Sequence, residues 1–189
     1  MQHPDLSITR RQRERLNGHR GLVLWFTGLS GAGKSTLANG LEQALHHQGK
    51  RSYTLDGDRV RQGLCKDLGF TDEDRQENIR RTSEVARLMM DAGLIVITAF
   101  ISPFRQDREL ARQLIGAENF IEIYISTPLA VCEQRDVIGL YRQARDGLLP
   151  NMTGLGRAYE KPERPHLSID TSMVSTSQAV ESVLRLLSD

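Results

Sequence analysis

The stretch LVLWFTGLSGAGKST, residues 22–36, decides the fold of this chain. Its central part, GLSGAGKS at positions 28–35, fits the pattern G-x-x-x-x-G-K-[ST], whose glycines let backbone N–H groups surround a phosphate. The apolar run before it is typical of a buried strand, and apolar residues at helical spacing follow it. Because strand, glycine loop and helix come in this order, the stretch predicts a phosphate-binding loop (P-loop) rather than an ordinary turn.

The pattern assigns a role to each residue of the loop. Lys34 is expected on the β- and γ-phosphates of a nucleotide, and the Ser35 hydroxyl on a magnesium ion. The backbone of the loop and the start of the following helix supply further N–H groups. The predicted nucleotide-binding residues are therefore Gly28, Leu29, Ser30, Gly31, Ala32, Gly33, Lys34, Ser35 and Thr36.

Length and charge limit what the protein binds. A chain of 189 residues suits one domain, and 25 Lys+Arg against 24 Asp+Glu leave no global field for nucleic acid or an anionic membrane. We expect a basic arm over residues 1–20, either solvated or packed, then one kinase domain over 21–189. The balanced charge predicts a small-molecule substrate. No apolar run suits a membrane span or a leader, which predicts a cytoplasmic location. Cys65 and Cys132 are expected to be reduced.

Strand-like and helical patterns alternate along the chain. This alternation predicts an α/β fold of the P-loop NTPase type, with a parallel five-stranded sheet and helices on both faces. The strands are expected at 22–27, 52–55, 94–100, 120–125 and, weakly, 167–169, and the helices near 34–47, 74–91, 106–114, 129–136 and 175–187.

The stretch 139–165 is rich in Gly, Pro and Arg and contains only one short helical pattern. Beside a phosphate site it is expected to be a mobile lid that closes and excludes water. The alternative is a passive connection to the last strand.

Two carboxylates point to the reaction. The chain has no N-K-x-D segment of the guanine-specific kind, and LIVITAF, residues 94–100, ends without an acidic metal ligand. The sequence LDGD instead places Asp56 and Asp58 at the end of the second predicted strand. Such a pair can hold a metal-bound water and accept a proton from an attacking hydroxyl, which suits a kinase. Asp-Gly-Asp is also common in plain turns.

From residue 21 to about 170 the chain resembles the adenylylsulfate kinases. The resemblance is carried by FTGLSGAGKST, LDGDRVRQGL, KDLGFTDEDRQENIRR, DAGLIVITAFISPFR and RDVIGLYRQAR, in the order and spacing of that family. It implies transfer of the ATP γ-phosphate to the 3′-hydroxyl of adenosine 5′-phosphosulfate in sulfate activation, with Mg²⁺, a mobile lid and a homodimer. It also raises an association with an ATP sulfurylase.

The resemblance assigns further residues. It implies Lys34, Asp56, Asp58 and Ser102 as catalytic, Ser35 and Asp58 as metal ligands, Arg135 on the ATP adenine with Arg142 and Arg145 on the lid, and Asp58, Arg61, Phe70, Arg75, Asn78, Ile101, Ser102 and Met152 as acceptor-binding. Phe70 could instead be a hydrophobic staple into the core, and Arg61 or Arg75 could be a partner in a surface ion pair. For Ser102 we favour phosphate binding over a covalent intermediate, because in-line transfer needs none.

The chain departs from the family pattern at Cys65, Ile138, Met152 and in LGRAYE, residues 155–160. These departures lie on the acceptor side or the lid. They leave open a kinase of the same fold with a different phosphorylated nucleotide acceptor. A non-catalytic nucleotide-binding regulator is the third alternative, although the retained charged residues argue against it.

Overall fold

The computed structural model describes residues 7–188, so the first six positions of the predicted arm and residue 189 lie outside the described part. The strands are β1 (Leu22–Thr27), β2 (Ser52–Asp56), β3 (Ile95–Ala99), β4 (Phe120–Ile125) and β5 (Leu167–Ile169). The helices are α1 (Arg10–Asn17), α2 (Lys34–His47), α3 (Gly57–Gln62), α4 (Asp72–Asp91), α5 (Arg105–Ile115), α6 (Leu129–Arg135), α7 (Leu140–Arg145) and α8 (Thr176–Leu186), with a 3₁₀ turn at Ala117–Asn119.

The five strands form one parallel sheet in the order β2-β3-β1-β4-β5. This confirms the predicted α/β class and the five-stranded parallel sheet. β1 lies at the centre and is buried from Val23 to Thr27, as expected of a strand covered on both faces. The apolar run before the glycine loop is therefore the middle of the core.

Alternate side chains of β1 enter two separate apolar clusters. Leu24 and Phe26 pack with residues of α2 and α8, whereas Val23 and Trp25 pack with residues of α4 and α5. The period-two alternation of a strand produces this division, and each face of the sheet has its own layer of helices.

The register of the sheet brings the predicted site residues to one edge. Ala99 of β3 is paired with Phe26 of β1 on one side and with Asp56 of β2 on the other. The segments that follow these three strands therefore leave the sheet at the same level. This places the glycine loop (residues 28–35), the Asp56–Asp58 segment and the 101–104 turn next to one another, as in other open parallel sheets.

Two short helices, α3 and α7, occur where the sequence suggested a turn and a lid. The Asp56 carboxylate accepts a hydrogen bond from the Asp58 N–H, so the acidic segment starts α3. α7 begins where the Asp136 carboxylate accepts the N–H groups of Tyr141 and Arg142. α7 matches the one short helical pattern of the lid stretch, whereas the six residues of α3 carry too little periodicity to be read from sequence.

The described part of the basic arm is packed against the domain. Arg10 of α1 donates hydrogen bonds to the carbonyl of Gly21 and to Asn119, and Asn17 donates to the carbonyl of Gly93. A capping box between Thr9 and Gln12 starts the helix. Across residues 7–188 none of the helices has the length and apolar character needed to span a bilayer.

Candidate active site

The glycine loop joins the end of β1 to the first residue of α2. Gly31 has a φ of 72°, and a Cβ there would lie 2.9 Å from the carbonyl oxygen of Cys132. Gly33 has a φ of 101° and is crowded by the Thr171 side chain. Both positions require glycine, because a side chain would meet both a strained backbone and a neighbour. The loop thus has the form that a phosphate-binding backbone needs.

Two threonines and an arginine form hydrogen bonds to carbonyl oxygens of the glycine loop. The Thr127 and Thr171 hydroxyls lie 3.0 and 2.8 Å from the carbonyl oxygen of Ala32. Arg135, predicted to bind ATP, donates to the carbonyl oxygens of Gly31 and Thr171. Sequence reasoning missed both threonines, whose one signal is that each lies two positions after a strand.

Lys34 bends back onto the loop from which it comes. Its Nζ donates to the carbonyl oxygens of Gly28 and Leu29 at 2.9 and 2.7 Å. Burial lowers the pKa of Lys34 to about 8, although Asp56 and Asp58 nearby oppose that shift. No carboxylate forms an ion pair with this ammonium group within residues 7–188, so an arriving phosphate would supply its counter-charge.

The Ser35 hydroxyl donates to the Asp56 carboxylate at 2.7 Å. Hard oxygen donors of this kind suit Mg²⁺, which is commonly held by one or two protein ligands together with water and phosphate oxygens. In the described residues no three His, Cys, Asp or Glu side chains form a complete metal cage. The geometry favours Asp56 over the predicted Asp58 as the carboxylate that shares a cation with Ser35.

Phe70 lies on the surface at the start of α4 and is 65% exposed, which excludes a role as a core staple. The Arg61 guanidinium lies 4.4 Å from the centre of its ring, and that of Arg75 lies 5.9 Å away. Burial lowers the pKa of Arg75, and the positive charges of Arg157 and Arg61 lower it further. An open aromatic ring beside clustered cations can accept an adenine ring and an anionic group.

Asn78 and Ile101 flank this region. Asn78 is buried on α4, and its side-chain N–H₂ group has no hydrogen-bond partner among residues 7–188. A buried unpaired donor is costly, and a bound ligand could satisfy it. The carbonyl oxygen of Ile101 accepts a hydrogen bond from the Thr27 hydroxyl, which fixes the start of the 101–104 turn to β1.

Two predicted acceptor residues lie in the interior. The Ser102 hydroxyl accepts a hydrogen bond from the indole N–H of Trp25, and the residue is only 3% exposed. Its backbone has a φ of 37°, which is uncommon for a residue other than glycine. The hydroxyl thus has a structural partner in the turn, and its role as a catalytic or phosphate-binding group stays a prediction.

Met152 is the second of these residues, and its place on the acceptor side stays a prediction. It is 9% exposed and packs in the apolar cluster that also contains Leu29 and Leu129. Little of its thioether surface remains for an adenine ring. The lid residue beside it, Thr153, is the one that reaches the acceptor side, where its hydroxyl lies 3.3 Å from Arg75.

The lid segment (residues 139–165) is docked on the domain in this structure. Arg142 and Arg145 line a cavity of about 570 Å³ together with Arg135 and Tyr141. Arg145 also forms an ion pair with Glu133 at 2.9 Å. The predicted lid arginines therefore border the same open space as Arg135, the residue predicted to contact the ATP adenine.

Known proteins similar to this chain identify its family. Residues 20–170 match the family model described as adenylylsulphate kinase. The chain is 57% identical, over 98% of its length and 90% of the relative's, to an adenylyl-sulfate kinase of Klebsiella pneumoniae. The structure of the Mycobacterium tuberculosis APS kinase in complex with AMPPNP and APS superposes with a TM-score of 0.87 at 43% identity, covering 90% of this chain and 99% of that one.

A hexameric APS kinase from Thiobacillus denitrificans superposes with a TM-score of 0.67 at 33% identity, covering 94% of this chain and 31% of that one. These two structures thus share the fold described above over 90% and 94% of this chain. A family model that matches most of the chain, joined to these identities, shows that the chain belongs to the adenylylsulphate kinase family.

Proposed function

We propose that this protein transfers the γ-phosphoryl group of ATP to the 3′-hydroxyl of adenosine 5′-phosphosulfate, forming ADP and the 3′-phosphorylated product. The observation that carries the proposal is the contact between the Ser35 hydroxyl and the Asp56 carboxylate, 2.7 Å apart at the mouth of the glycine loop. Two oxygen groups that can bind a cation, next to the loop expected to hold the terminal phosphates, support this proposal. The similarity to an adenylyl-sulfate kinase of Klebsiella pneumoniae and to the Mycobacterium tuberculosis APS kinase in complex with AMPPNP and APS supports this proposal.

Each side chain has a distinct task in this mechanism. The backbone N–H groups of the loop and the ammonium group of Lys34 bind the β- and γ-phosphates once Lys34 leaves its carbonyl partners. Ser35 and Asp56 would hold Mg²⁺, which neutralises charge on those phosphates when it is bound. Phosphoryl transfer then depends chiefly on the positioning of the two substrates, because its transition state requires little covalent chemistry from the protein.

Asp58 is left to act on the acceptor. No hydrogen bond or ion pair engages its carboxylate within residues 7–188, whereas Asp56 is occupied by Ser35 and by the Asp58 N–H. We therefore assign Asp58 to the acceptor hydroxyl, whose proton it accepts. Arg61 and Arg75 are assigned to the anionic groups of the acceptor, and the exposed ring of Phe70 to its adenine.

The test is ADP release coupled to an indicator reaction, with ATP, Mg²⁺ and adenosine 5′-phosphosulfate. The matched control acceptor is the 3′-deoxy analogue, which keeps every binding group and lacks the attacking oxygen. We expect ADP release with the first compound and only background hydrolysis with the second. Equal release with both compounds would rule out transfer to the 3′-hydroxyl.

The two aspartates are tested by their different responses to Mg²⁺. We expect Asp56→Asn to raise the Mg²⁺ concentration needed for half-maximal rate, and Asp58→Asn to lower kcat about a hundredfold or more without that shift. Interchanged responses would return the metal-side role to Asp58.

Assembly and location are separate proposals. The hexameric relative shows that this family includes oligomers, and we propose a homodimer for this chain. Light scattering of the purified protein tests it, and a monomer at micromolar concentration would contradict it. Association with an ATP sulfurylase and a cytoplasmic location stay predictions from the resemblance and the composition, and co-purification with a sulfurylase and cell fractionation would test them.

A further inference from the structure

The C-terminal stem of the lid, residues 159–160, is bonded to β1 through one tyrosine. The Tyr159 hydroxyl lies 2.8 Å from Oγ1 of Thr27, the last residue of β1. The Thr27 hydroxyl in turn donates to the carbonyl oxygen of Ile101 at 2.8 Å. A threonine hydroxyl has one hydrogen to donate, so Tyr159 must be the donor to Thr27. The three groups form a directed chain from the lid to β1 and on to the 101–104 turn.

The stem is held at the same place by the backbone and by a buried arginine. The Glu160 N–H donates to the carbonyl oxygen of Pro103 at 2.9 Å. Arg108, only 3% exposed, donates to the carbonyl oxygens of Ser102 and Glu160 at 2.6 and 2.7 Å. The stem and the 101–104 turn therefore form one unit, and the lid that can move ends before Tyr159.

The other end of the lid has a matching contact. The Tyr141 hydroxyl donates to the carbonyl oxygen of Ser30 inside the glycine loop, at 2.9 Å. Thr27 directly precedes Gly28, the first residue of that loop. Both ends of the lid are thus fastened by tyrosine hydroxyls to the short segment 27–30, which also carries the phosphate-binding backbone.

We propose that the Tyr159 hydroxyl is a positioning group which, through Thr27, fixes the glycine loop relative to the 101–104 turn, while the lid moves between Tyr141 and Tyr159. The inference rests on the proposed function, since it assigns the loop to ATP and the turn to the acceptor side. Transfer between two bound substrates depends steeply on their separation, so a small error in this placement lowers the rate of the chemical step. Tyr159 acts through Thr27 and is not itself a catalytic residue.

The first experiment compares Tyr159→Phe with Tyr124→Phe. The two rings are stacked 5.8 Å apart, and the hydroxyl of Tyr124 forms no hydrogen bond within residues 7–188, so it is a matched control. We expect Tyr159→Phe to lower kcat at saturating substrates about tenfold, with a melting temperature only ~2–4 °C lower, and Tyr124→Phe to keep the wild-type kcat. Equal losses in the two variants, or an unchanged kcat in Tyr159→Phe, would overturn the proposal.

Variants of Thr27 test the same chain of hydrogen bonds, and the comparison of Thr27→Val with Thr27→Ser does so even if Tyr159→Phe folds poorly. Thr27→Val removes the intermediate hydroxyl, and Thr27→Ser keeps it. We expect the serine variant to retain most of the activity, and the double variant Thr27→Val with Tyr159→Phe to be no slower than Thr27→Val alone. Losses of kcat that multiply would show that the two hydroxyls act independently.

Amide hydrogen exchange without substrates separates this proposal from the proposed function. We expect faster exchange of residues 26–29 and 100–102 in Tyr159→Phe than in the wild type and in Tyr124→Phe. Unchanged exchange would refute the positioning role of Tyr159, called the anchor here, whatever the enzyme catalyses. A wild-type protein that fails to phosphorylate adenosine 5′-phosphosulfate, yet shows this exchange difference, would refute the proposed function and leave the anchor in place.

Discussion

Raising the pH from 7 to 9 should weaken ATP binding to the free enzyme, because Lys34 then loses its proton. The ammonium group is buried and bonded to two carbonyl oxygens of the loop, and its pKa is lowered to about 8. Phosphate oxygens stabilise the charged form, so nucleotide binding raises this pKa again. Protons must therefore be taken up on binding between pH 8 and the ordinary lysine pKa near ~10.5.

The magnitude follows from that pKa. About one tenth of Lys34 is neutral at pH 7, one half at pH 8 and nine tenths at pH 9. If only the charged form binds the terminal phosphates, the dissociation constant for ATP rises about tenfold between pH 7 and pH 9, or roughly 1.4 kcal/mol. Proton uptake per bound ATP rises over the same interval from about 0.1 to about 0.9.

Isothermal titration calorimetry measures both quantities. The dissociation constant comes from the titration curve, and the proton uptake from the dependence of the binding enthalpy on the ionisation enthalpy of the buffer. AMP lacks the phosphates that Lys34 is expected to contact and serves as control, as does ATP with the Lys34→Met variant. A constant affinity between pH 7 and pH 9, or equal proton uptake with AMP, would refute the assignment of this pKa to a phosphate-binding lysine.

Three further predictions concern packing and substrate contacts. Arg108→Ala should lower the free energy of unfolding in urea by about 3–5 kcal/mol, since it leaves a carboxylate and two carbonyl oxygens unpaired. Arg87→Ala, at an exposed ion pair, should lower it by less than about 1 kcal/mol. Similar losses in the two variants would show that the buried contacts of Arg108 do not stabilise the fold. Phe70→Ala should raise the KM for the acceptor about tenfold and leave the KM for ATP and the melting temperature unchanged, with the exposed Leu88→Ala as control; a changed KM for ATP instead would remove Phe70 from the acceptor side. Thr171→Val should raise the KM for ATP several-fold because Ala32 and Arg135 lose a partner, and an unchanged KM would show that the loop keeps its shape without that hydroxyl.

The sequence could predict the elements whose signals are local. The run Leu22–Thr27, the glycine loop and the apolar spacing of α2 each follow from side-chain periodicity or from the need for glycine, and these are properties of neighbouring residues. The parallel sheet followed from the alternation of strands and helices. The family was recognisable because its motifs are short and occur in a fixed order.

Other features depend on residues far apart in the chain, and only the tertiary structure decided them. Asp56 and Asp58 look equivalent in LDGD, but the start of α3 directs the Asp56 carboxylate to Ser35. The Ser102 hydroxyl accepts a hydrogen bond from Trp25, 77 positions away in the chain, and no local pattern indicates this contact. The contact of Tyr159 with Thr27 spans 132 positions. Local sequence fixes which groups are available, whereas packing across the sheet determines which of them meet, because that depends on register and burial that no short pattern encodes.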